Sequence, residues 1–318
     1  MLQSMKAIFA ALAFAVAIGF ASGPAQAADK LTVLLDWYVN ADHGPLVVAK
    51  EGGYFEAEGL DVELVTPADP SAPPRLVAAG QGDIAVSYQP TLYEQAQAGL
   101  PVVRIGTLIS TPLNTVIALK SGSIKSLADL KGKKVGFSIS GFEDAILSTM
   151  LGTVGLSEKD VEMINVNFAL TPALLSGQVD AVVGAYRNIE LNQLEAEGNP
   201  GFAIYPEEHG VPAYDELIYI ANKDKLDDDR LPRFLRAVEA ATVFLTNHPE
   251  EGLKLFVKNH SDIDDDLTKK SWYDSVPRFA KRPAALDAGR YERFGAFMEK
   301  AGLIEKAPKV EDIAVELR

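Results

Sequence analysis

The sequence predicts an α/β fold of two similar lobes, closed by a run of helices at the C-terminus. Three observations carry that prediction. Strand-like and helix-like stretches alternate from residue 31 to about residue 221, the signature of βαβ units covered on both faces. A short pattern occurs once in each half, as Leu76-Val-Ala-Ala-Gly-Gln-Gly-Asp-Ile-Ala-Val and Leu174-Leu-Ser-Gly-Gln-Val-Asp-Ala-Val-Val, each a helix stopped at Gly, then Asp, then an apolar strand. From Asp229 onward, apolar residues fall at three- and four-residue spacing and no strand candidate interrupts them.

The elements follow in order. Strands are expected at 31–36, 61–66, 83–87 and 102–110, with helices at 44–50, 72–80 and 91–98 between them; Pro73-Pro74 suits a helix start, where a missing N–H costs nothing. Near Thr111-Pro112-Leu113-Asn114 the chain changes lobe. Strands at 115–120, 133–138, 161–166, 181–185 and 202–205 then alternate with helices at 126–130, 143–154, 172–177 and 189–197. The apolar run 217–221 returns to the first lobe, and helices at 231–247, 249–258, 265–276 and 285–301 complete the chain. The expected organisation is a signal over 1–27, the first part of lobe I over 28–113, lobe II over 114–214, and the return to lobe I with the C-terminal helices over 215–318.

The N-terminus reads as a secretory signal. Lys6 precedes an apolar run from Ala7 to Phe20, and Ala25-Gln26-Ala27 places small residues for cleavage after Ala27. The chain has no Cys, which excludes disulfides, lipid anchoring through a thiol and thiolate–metal chemistry. The formal charge of −14 becomes −15 once Lys6 is removed with the signal. So acidic a protein repels nucleic acid and anionic headgroups and permits a neutral or cationic small molecule. None of the four His falls in a His-x-x-x-His or His-Glu-x-x-His pattern, so neither a metal nor another cofactor is expected.

Leu35-Asp36-Trp37, the run from Gly53 to Val62 (GYFEAEGLDV), Gly80 to Ala85, Leu127 to Gly136 (LADLKGKKVG) and Gly210 to Leu217 (GVPAYDEL) resemble periplasmic substrate-binding proteins of ABC importers. The Gly-x-Phe and Leu-x-Asp-Leu-Lys-Gly patterns belong to the wider superfamily of sulfonate, nitrate and taurine binders. Asp36-Trp37, Gly184 to Glu190 (GAYRNIE) and the Val-Pro-x-Tyr-x-Glu-Leu run resemble the thiamine-pyrimidine, NMT1/THI5-like branch. The resemblance covers nearly the whole mature chain. It implies the type II Venus-flytrap fold, with hinge-connected parallel or mixed sheets and a ligand in the cleft. It also implies delivery of that ligand by a monomer to a membrane permease and its ATPase. Fungal relatives that synthesise the pyrimidine carry a cysteine-rich iron motif, and the absence of Cys here argues against that activity.

A methyl-aminopyrimidine is flat, with an amino donor and ring-nitrogen acceptors, and asks for an aromatic face and a carboxylate or amide at one edge. Trp37, at the end of the first strand, is the candidate for the stack, with core packing as the alternative. Tyr186, Asn188 and Glu190 follow a strand of the second lobe, and Glu190 is expected to read the amino edge, or else to be an ordinary acidic residue in a first helical turn. Asn40 and His43 are read as ligand contacts or as caps of the helix that begins at Gly44. Tyr88 with Gln89 ends another first-lobe strand, Asn114 lies at the first crossover and Tyr214 at the return. Ser138, Ser140, Gly141 and Phe142 precede a helix N-terminus of a kind that cradles anions, but Glu143 and Asp144 already put negative charge there.

The expected function is therefore capture of a formyl-aminopyrimidine or hydroxymethylpyrimidine for import, without catalysis. The alternatives are a binder of another solute such as riboflavin, taurine, an alkanesulfonate or nitrate, a sensory receptor of the same fold, and an enzyme with Glu190 and His43 as acid and base. Whether Asp36 faces the cleft or lies beneath it is left open by the sequence.

Overall fold

A computed structural model describes residues 27–317, so the secretory signal expected over 1–27 lies, apart from Ala27, outside the described residues. Among the described residues no helix is long and apolar enough to cross a membrane. Ten strands form two five-stranded sheets: β1 (Asp29–Leu34), β2 (Leu60–Val65), β3 (Ile84–Ser87), β4 (Val102–Ile109), β5 (Asn114–Leu119), β6 (Lys134–Phe137), β7 (Glu162–Asn165), β8 (Ala181–Tyr186), β9 (Gly201–Ile204) and β10 (Leu217–Asn222).

The first sheet has the order β2-β1-β3-β10-β4 and the second β7-β6-β8-β5-β9. In the first, β1 runs parallel to β2 and β3, and β10 lies antiparallel between β3 and β4. In the second, β6 runs parallel to β7 and β8, and β5 lies antiparallel between β8 and β9. Each sheet is thus mixed, with the antiparallel strand supplied by the chain as it crosses between lobes: β5 on entering the second, β10 on returning to the first.

The two echoed sequences do the same mechanical work in each lobe. Gly80 (φ 75°) and Gly177 (φ 73°) end their helices in the left-handed conformation, and the Asp that follows ties the incoming strand to its neighbour. Asp83 Oδ2 accepts from the Thr32 N–H at 2.8 Å, and Asp180 Oδ2 accepts from the Lys134 N–H at 2.9 Å. Each carboxylate satisfies an N–H of the neighbouring parallel strand.

All ten strands occur where the periodicity places them, to within about two residues. The C-terminal helices Arg230–Asn247, Pro249–Val257, Asp266–Ser275 and Ala288–Lys300 do as well. The first buries Leu231, Phe234, Leu235, Val238, Ala241, Thr242 and Leu245, one face at three- and four-residue spacing, and packs on the helix Gly44–Glu51. The expected helix at 126–130 is a 3₁₀ turn, Leu127–Leu130, closed by a Ser126–Asp129 capping box. The short helix Val310–Ile313 and the bridge from Ala314 to Arg104 carry too few residues to show a period.

The two crossing segments are held side by side by one buried carboxylate. Glu216, just before β10, accepts at Oε2 from the N–H groups of Leu113 (2.6 Å) and Asn114 (3.0 Å) and from the Tyr214 hydroxyl (3.0 Å). Nearby, the Gln89 side-chain oxygen accepts the Asp215 N–H at 2.8 Å, which makes Gln89 a brace of the return segment.

Candidate functional site

Between the lobes lies a narrow cavity with about 30 Å³ accessible to water-sized molecules, partly open to solvent. The sequence-predicted residues Trp37, Asn40, His43, Tyr88 and Asn114 line it, as do Phe142, Tyr186 and Glu190. Asp36, Asp42, Glu143 and the backbone at Gly184 complete its polar wall, and Ile139, Leu170, Ile189 and Leu217 its apolar one.

The first-lobe wall grows from the end of β1. Leu35 still pairs with Val65 (2.8 Å), after which the strand stops and Asp36 turns into the cavity wall, 3% exposed. Its carboxylate is fully engaged: Oδ2 accepts from the Tyr88 hydroxyl at 2.8 Å and Oδ1 meets His43 Nε2 at 3.0 Å. His43 Nδ1 accepts the Asn40 backbone N–H at 3.2 Å, and since a backbone N–H can only donate, the ring proton sits on Nε2 and points at Asp36. The Asn40 side chain accepts the Asp42 N–H at 2.9 Å. Asn40 and His43 therefore close a capping box on the turn Ala41–His43, not on the helix Gly44–Glu51, whose N-cap His43 makes no side-chain cap bond to it. Both ring nitrogens of His43 are consumed, so it is a scaffold for Asp36 and not a free base.

Trp37 is half-buried and faces the second lobe. Its ring meets Phe168 edge-on, centroids 4.6 Å apart, and Tyr38, 54% exposed, lies against the same Phe168 at 4.6 Å. Phe168 reaches this place because Asn167 adopts φ 52°, a left-handed conformation that Asn tolerates, with its N–H on the Asn165 side chain at 2.9 Å. Trp37 packs against the second lobe's apolar cluster, so it belongs to the interface between lobes and not to the core of its own. Deeper in, Tyr88 stacks on Phe142 across the lobes at 5.8 Å and 22°.

The second-lobe wall is built on β8 and the turn after it. Glu190, at the start of the helix Glu190–Ala196, accepts the Tyr186 N–H at Oε2 (2.6 Å). Burial pushes its carboxyl up to about 7 against that hydrogen bond. Glu143 turns inward beneath the loop 138–141. Its Oε2 accepts the N–H groups of Ser138 (2.7 Å) and Ile139 (3.2 Å), while burial pushes its carboxyl up to about 8. Gly184, at φ 90°, has no side chain because a Cβ there would fall on the Glu143 carboxylate. The loop 138–141, before a helix N-terminus of a kind that cradles anions, holds one of the protein's own carboxyl groups instead.

Two expected contacts stand elsewhere. Asn188 is buried and does not line the cavity: its Nδ2 donates to Asp42 Oδ1 (2.7 Å) and Ser275 Oγ (2.8 Å), bridging the lobes. Tyr214 is fully buried behind the wall, packed between Phe142 and Phe294, with its hydroxyl spent on Glu216. Asn188 is drawn off by a buried carboxylate on the facing lobe, and Tyr214 by the carboxylate two residues along, contacts that no local pattern encodes.

Asp42 is a site residue that the sequence reading passed over. Burial raises its carboxyl to about 6 against the hydrogen bonds of Ser275 and Asn188, and its Oδ2 has no partner among the described residues. Asn114 is in the converse state: its side-chain oxygen accepts the Gly184 N–H at 3.1 Å and its Nδ2 has no partner. An acceptor of the first lobe and a donor of the second thus stand unsatisfied on residues that line one cavity. Asp36, Asp42, Glu143 and Glu190 surround the space, and among the described residues no Lys or Arg lines it. The arrangement suits a flat molecule rich in N–H groups and disfavours an anion.

Comparison with known proteins agrees with this chemistry. The profile of the family described as NMT1/THI5 like matches residues 40–252. A Haemophilus influenzae protein described as a thiamine biosynthesis protein is 52% identical over 295 residues, covering 92% of this chain and 94% of that protein. A formylaminopyrimidine-binding protein of Halalkalibacterium halodurans is 36% identical over 253 residues, 79% of this chain and 77% of that one. More distant relatives include a 4-amino-5-hydroxymethyl-2-methylpyrimidine phosphate synthase of Legionella pneumophila, 26% identical over 282 residues, with 87% of this chain and 88% of that protein covered. Among solved structures, the alkanesulfonate-binding protein SsuA of Xanthomonas axonopodis superposes with a TM-score of 0.72 at 17% identity, covering 91% of this chain and 99% of that one. That likeness establishes the two-lobe periplasmic-binding-protein fold.

Proposed function

The chain belongs to the NMT1/THI5-like family, and from that membership we propose that it is the solute-binding component of an importer for a thiamine pyrimidine precursor. The ligand is a 4-aminopyrimidine bearing a small 5-substituent, of formyl-aminopyrimidine or hydroxymethylpyrimidine type. It is captured outside the cytoplasmic membrane and handed to a permease with its ATPase.

One observation carries the reading: Asp42 Oδ2 of the first lobe and Asn114 Nδ2 of the second, an acceptor and a donor on residues lining the same cavity, have no partner among the described residues and are free for a ligand. An exocyclic amine and a ring nitrogen on one planar ring are such a pair. Trp37 and Tyr186 offer the aromatic faces, and Glu190 offers a carboxyl poised near neutrality to pair with a second N–H or with a protonated ring nitrogen. Because the walls come from both lobes, the ligand's contacts are complete only when the lobes are together, which is what couples binding to closure.

The relatives described as synthases favour a second reading, an enzyme on the same heterocycle. Two features stand against it: the chain has no Cys for an iron motif, and both nitrogens of His43 are engaged by Asn40 and Asp36. Native mass spectrometry of protein purified without refolding tests the proposal. A retained adduct with the mass of an aminopyrimidine, unchanged after long incubation, supports capture, whereas a converted product identifies an enzyme and a sulfonate adduct overturns the ligand class.

A further inference from the structure

A second hollow of about 240 Å³, partly open to solvent, adjoins the first cavity and shares Tyr88 and Ile139 with it as lining residues. The first lobe contributes the segment 70–75 and the helix Gln89–Gln97, and the second lobe contributes Ile139 and Ser140. Three side-chain oxygens among its lining residues are buried without a hydrogen-bond partner among the described residues: Ser87 Oγ, Thr91 Oγ1 and Gln95 Oε1. Ser87 is 1% exposed, so bulk solvent does not satisfy it. Buried polar atoms are normally paired, and three orphans in one hollow point to an occupant.

We infer that this hollow is a second small-molecule site, complementary to a small amino alcohol. The Gln95 amide oxygen and the Glu94 carboxyl, another lining group, ask for N–H or O–H donors, and the two hydroxyls serve as donor or acceptor. The Glu94 carboxylate is set against Gly141 at the edge of the second lobe, where a Cβ would collide with it. Burial, with the negative charge of Asp144 adding to it, raises Glu94 to about 7, and an ammonium group would relieve both effects. Arg75, the cation among the lining residues, is exposed at the rim with its guanidinium on the Ser71 carbonyl (3.4 Å). Pro74, Val86, Leu100 and Ile139 provide apolar surface for a short methylene chain. An occupant touches both lobes, so it bears on the same closure as the first cavity.

The test is ligand-observed NMR by saturation transfer to ethanolamine from the mature full-length protein, alone and with excess formyl-aminopyrimidine. The expected result is transfer that persists when the pyrimidine is present. It should fall at least about fivefold in Ser87→Ala/Thr91→Val and, separately, in Glu94→Gln, whose hydrogen-bonding groups are removed or neutralised. Both variants are to melt within a few degrees of the parent, and Glu94→Gln, which keeps the size and shape of the side chain, stands in if the double variant does not fold. No transfer from the parent, displacement by the pyrimidine, or unchanged transfer in the folded variants overturns the inference. Failure of the pyrimidine to bind would count against the preceding proposal alone, because the ethanolamine signal and its loss in the variants are read without it.

Discussion

Asn188 of the second lobe donates to Asp42 Oδ1 of the first at 2.7 Å, and the Ser275 hydroxyl shares that oxygen at 2.9 Å. The bond links the turn before the helix Glu190–Ala196 to the turn after β1, and so joins the lobes beside the cavity without reaching into it. It orients Asp42 and opposes the rise that burial gives its carboxyl, and the other oxygen has no partner among the described residues.

Asn188→Ala removes a donor from a buried carboxyl, a loss of about 1–3 kcal/mol, all of it from the closed arrangement. The ligand-free variant should populate an open form, seen by small-angle X-ray scattering as a larger radius of gyration, with ligand restoring the compact value. An unchanged radius in the ligand-free variant would show that Asn188 does not hold the lobes together.

Trp37→Ala removes the half-buried ring that faces Phe168 across the lobes. The loss of one stacking face and of its apolar contact should weaken pyrimidine binding by about 100-fold, roughly 3 kcal/mol. Thermal stability of the ligand-free protein should change far less than for a core Trp, because the ring sits between lobes. Calorimetric titration beside a melting curve separates the two roles: strong destabilisation with intact binding would return Trp37 to the core.

These first two predictions rest on residues of very different legibility. Trp37 was visible in the sequence because an aromatic at the end of an apolar run is a local signal, and the same holds for Tyr88 and Tyr186; Glu190 stands out chiefly by the family pattern around it. The Gly-Asp echoes announced two lobes because each is a short-range device, a left-handed Gly stop and an Asp on the next strand's N–H. Asp42 and Phe168 depend on the meeting of segments more than 100 residues apart in sequence, or on one left-handed Asn, and the inward turn of Glu143 on the loop just before it and the bare backbone of Gly184; no periodicity reports them. Glu216 lies inside a quoted motif, yet its work, holding Leu113 and Asn114, appears only when the two crossing segments are side by side.

Glu143→Ala empties the cradle formed by the Ser138 and Ile139 N–H groups. Two backbone donors without partners cost about 1–3 kcal/mol each, and the melting temperature should drop accordingly. In exchange, sulfate or taurine should bind the variant measurably, by chemical-shift perturbation of those two amides, while the parent shows no shift. If the variant ignores both anions, the Glu143 carboxyl is not what excludes them.

The pH dependence of stability follows from five carboxyl groups raised by burial: Asp42 to about 6, Glu94, Glu190 and Glu216 to about 7, and Glu143 to about 8. Each binds its proton more tightly folded than unfolded. Their contribution is therefore fully present below about pH 4, where both states are protonated, and is lost as pH rises through 6 to 8. The ligand-free protein should melt at least ~3 °C higher at pH 5.5 than at pH 8.5. Glu143→Gln, which keeps a neutral side chain of the same shape, should flatten part of that slope. A melting temperature that rises over this interval would mean that these groups are ionised in the fold at lower pH than their burial implies.

The central claim is that the cavity between Trp37 and Glu190 selects an aminopyrimidine over an anion. Isothermal titration of the ligand-free protein with formyl-aminopyrimidine, and in parallel with taurine, tests it most directly. The account predicts a Kd at or below the micromolar level for the pyrimidine, about −8 kcal/mol, a loss of at least ~100-fold in Glu190→Ala, and no heat with taurine. Binding of taurine together with a pyrimidine Kd no tighter than about millimolar, roughly −4 kcal/mol, would contradict it.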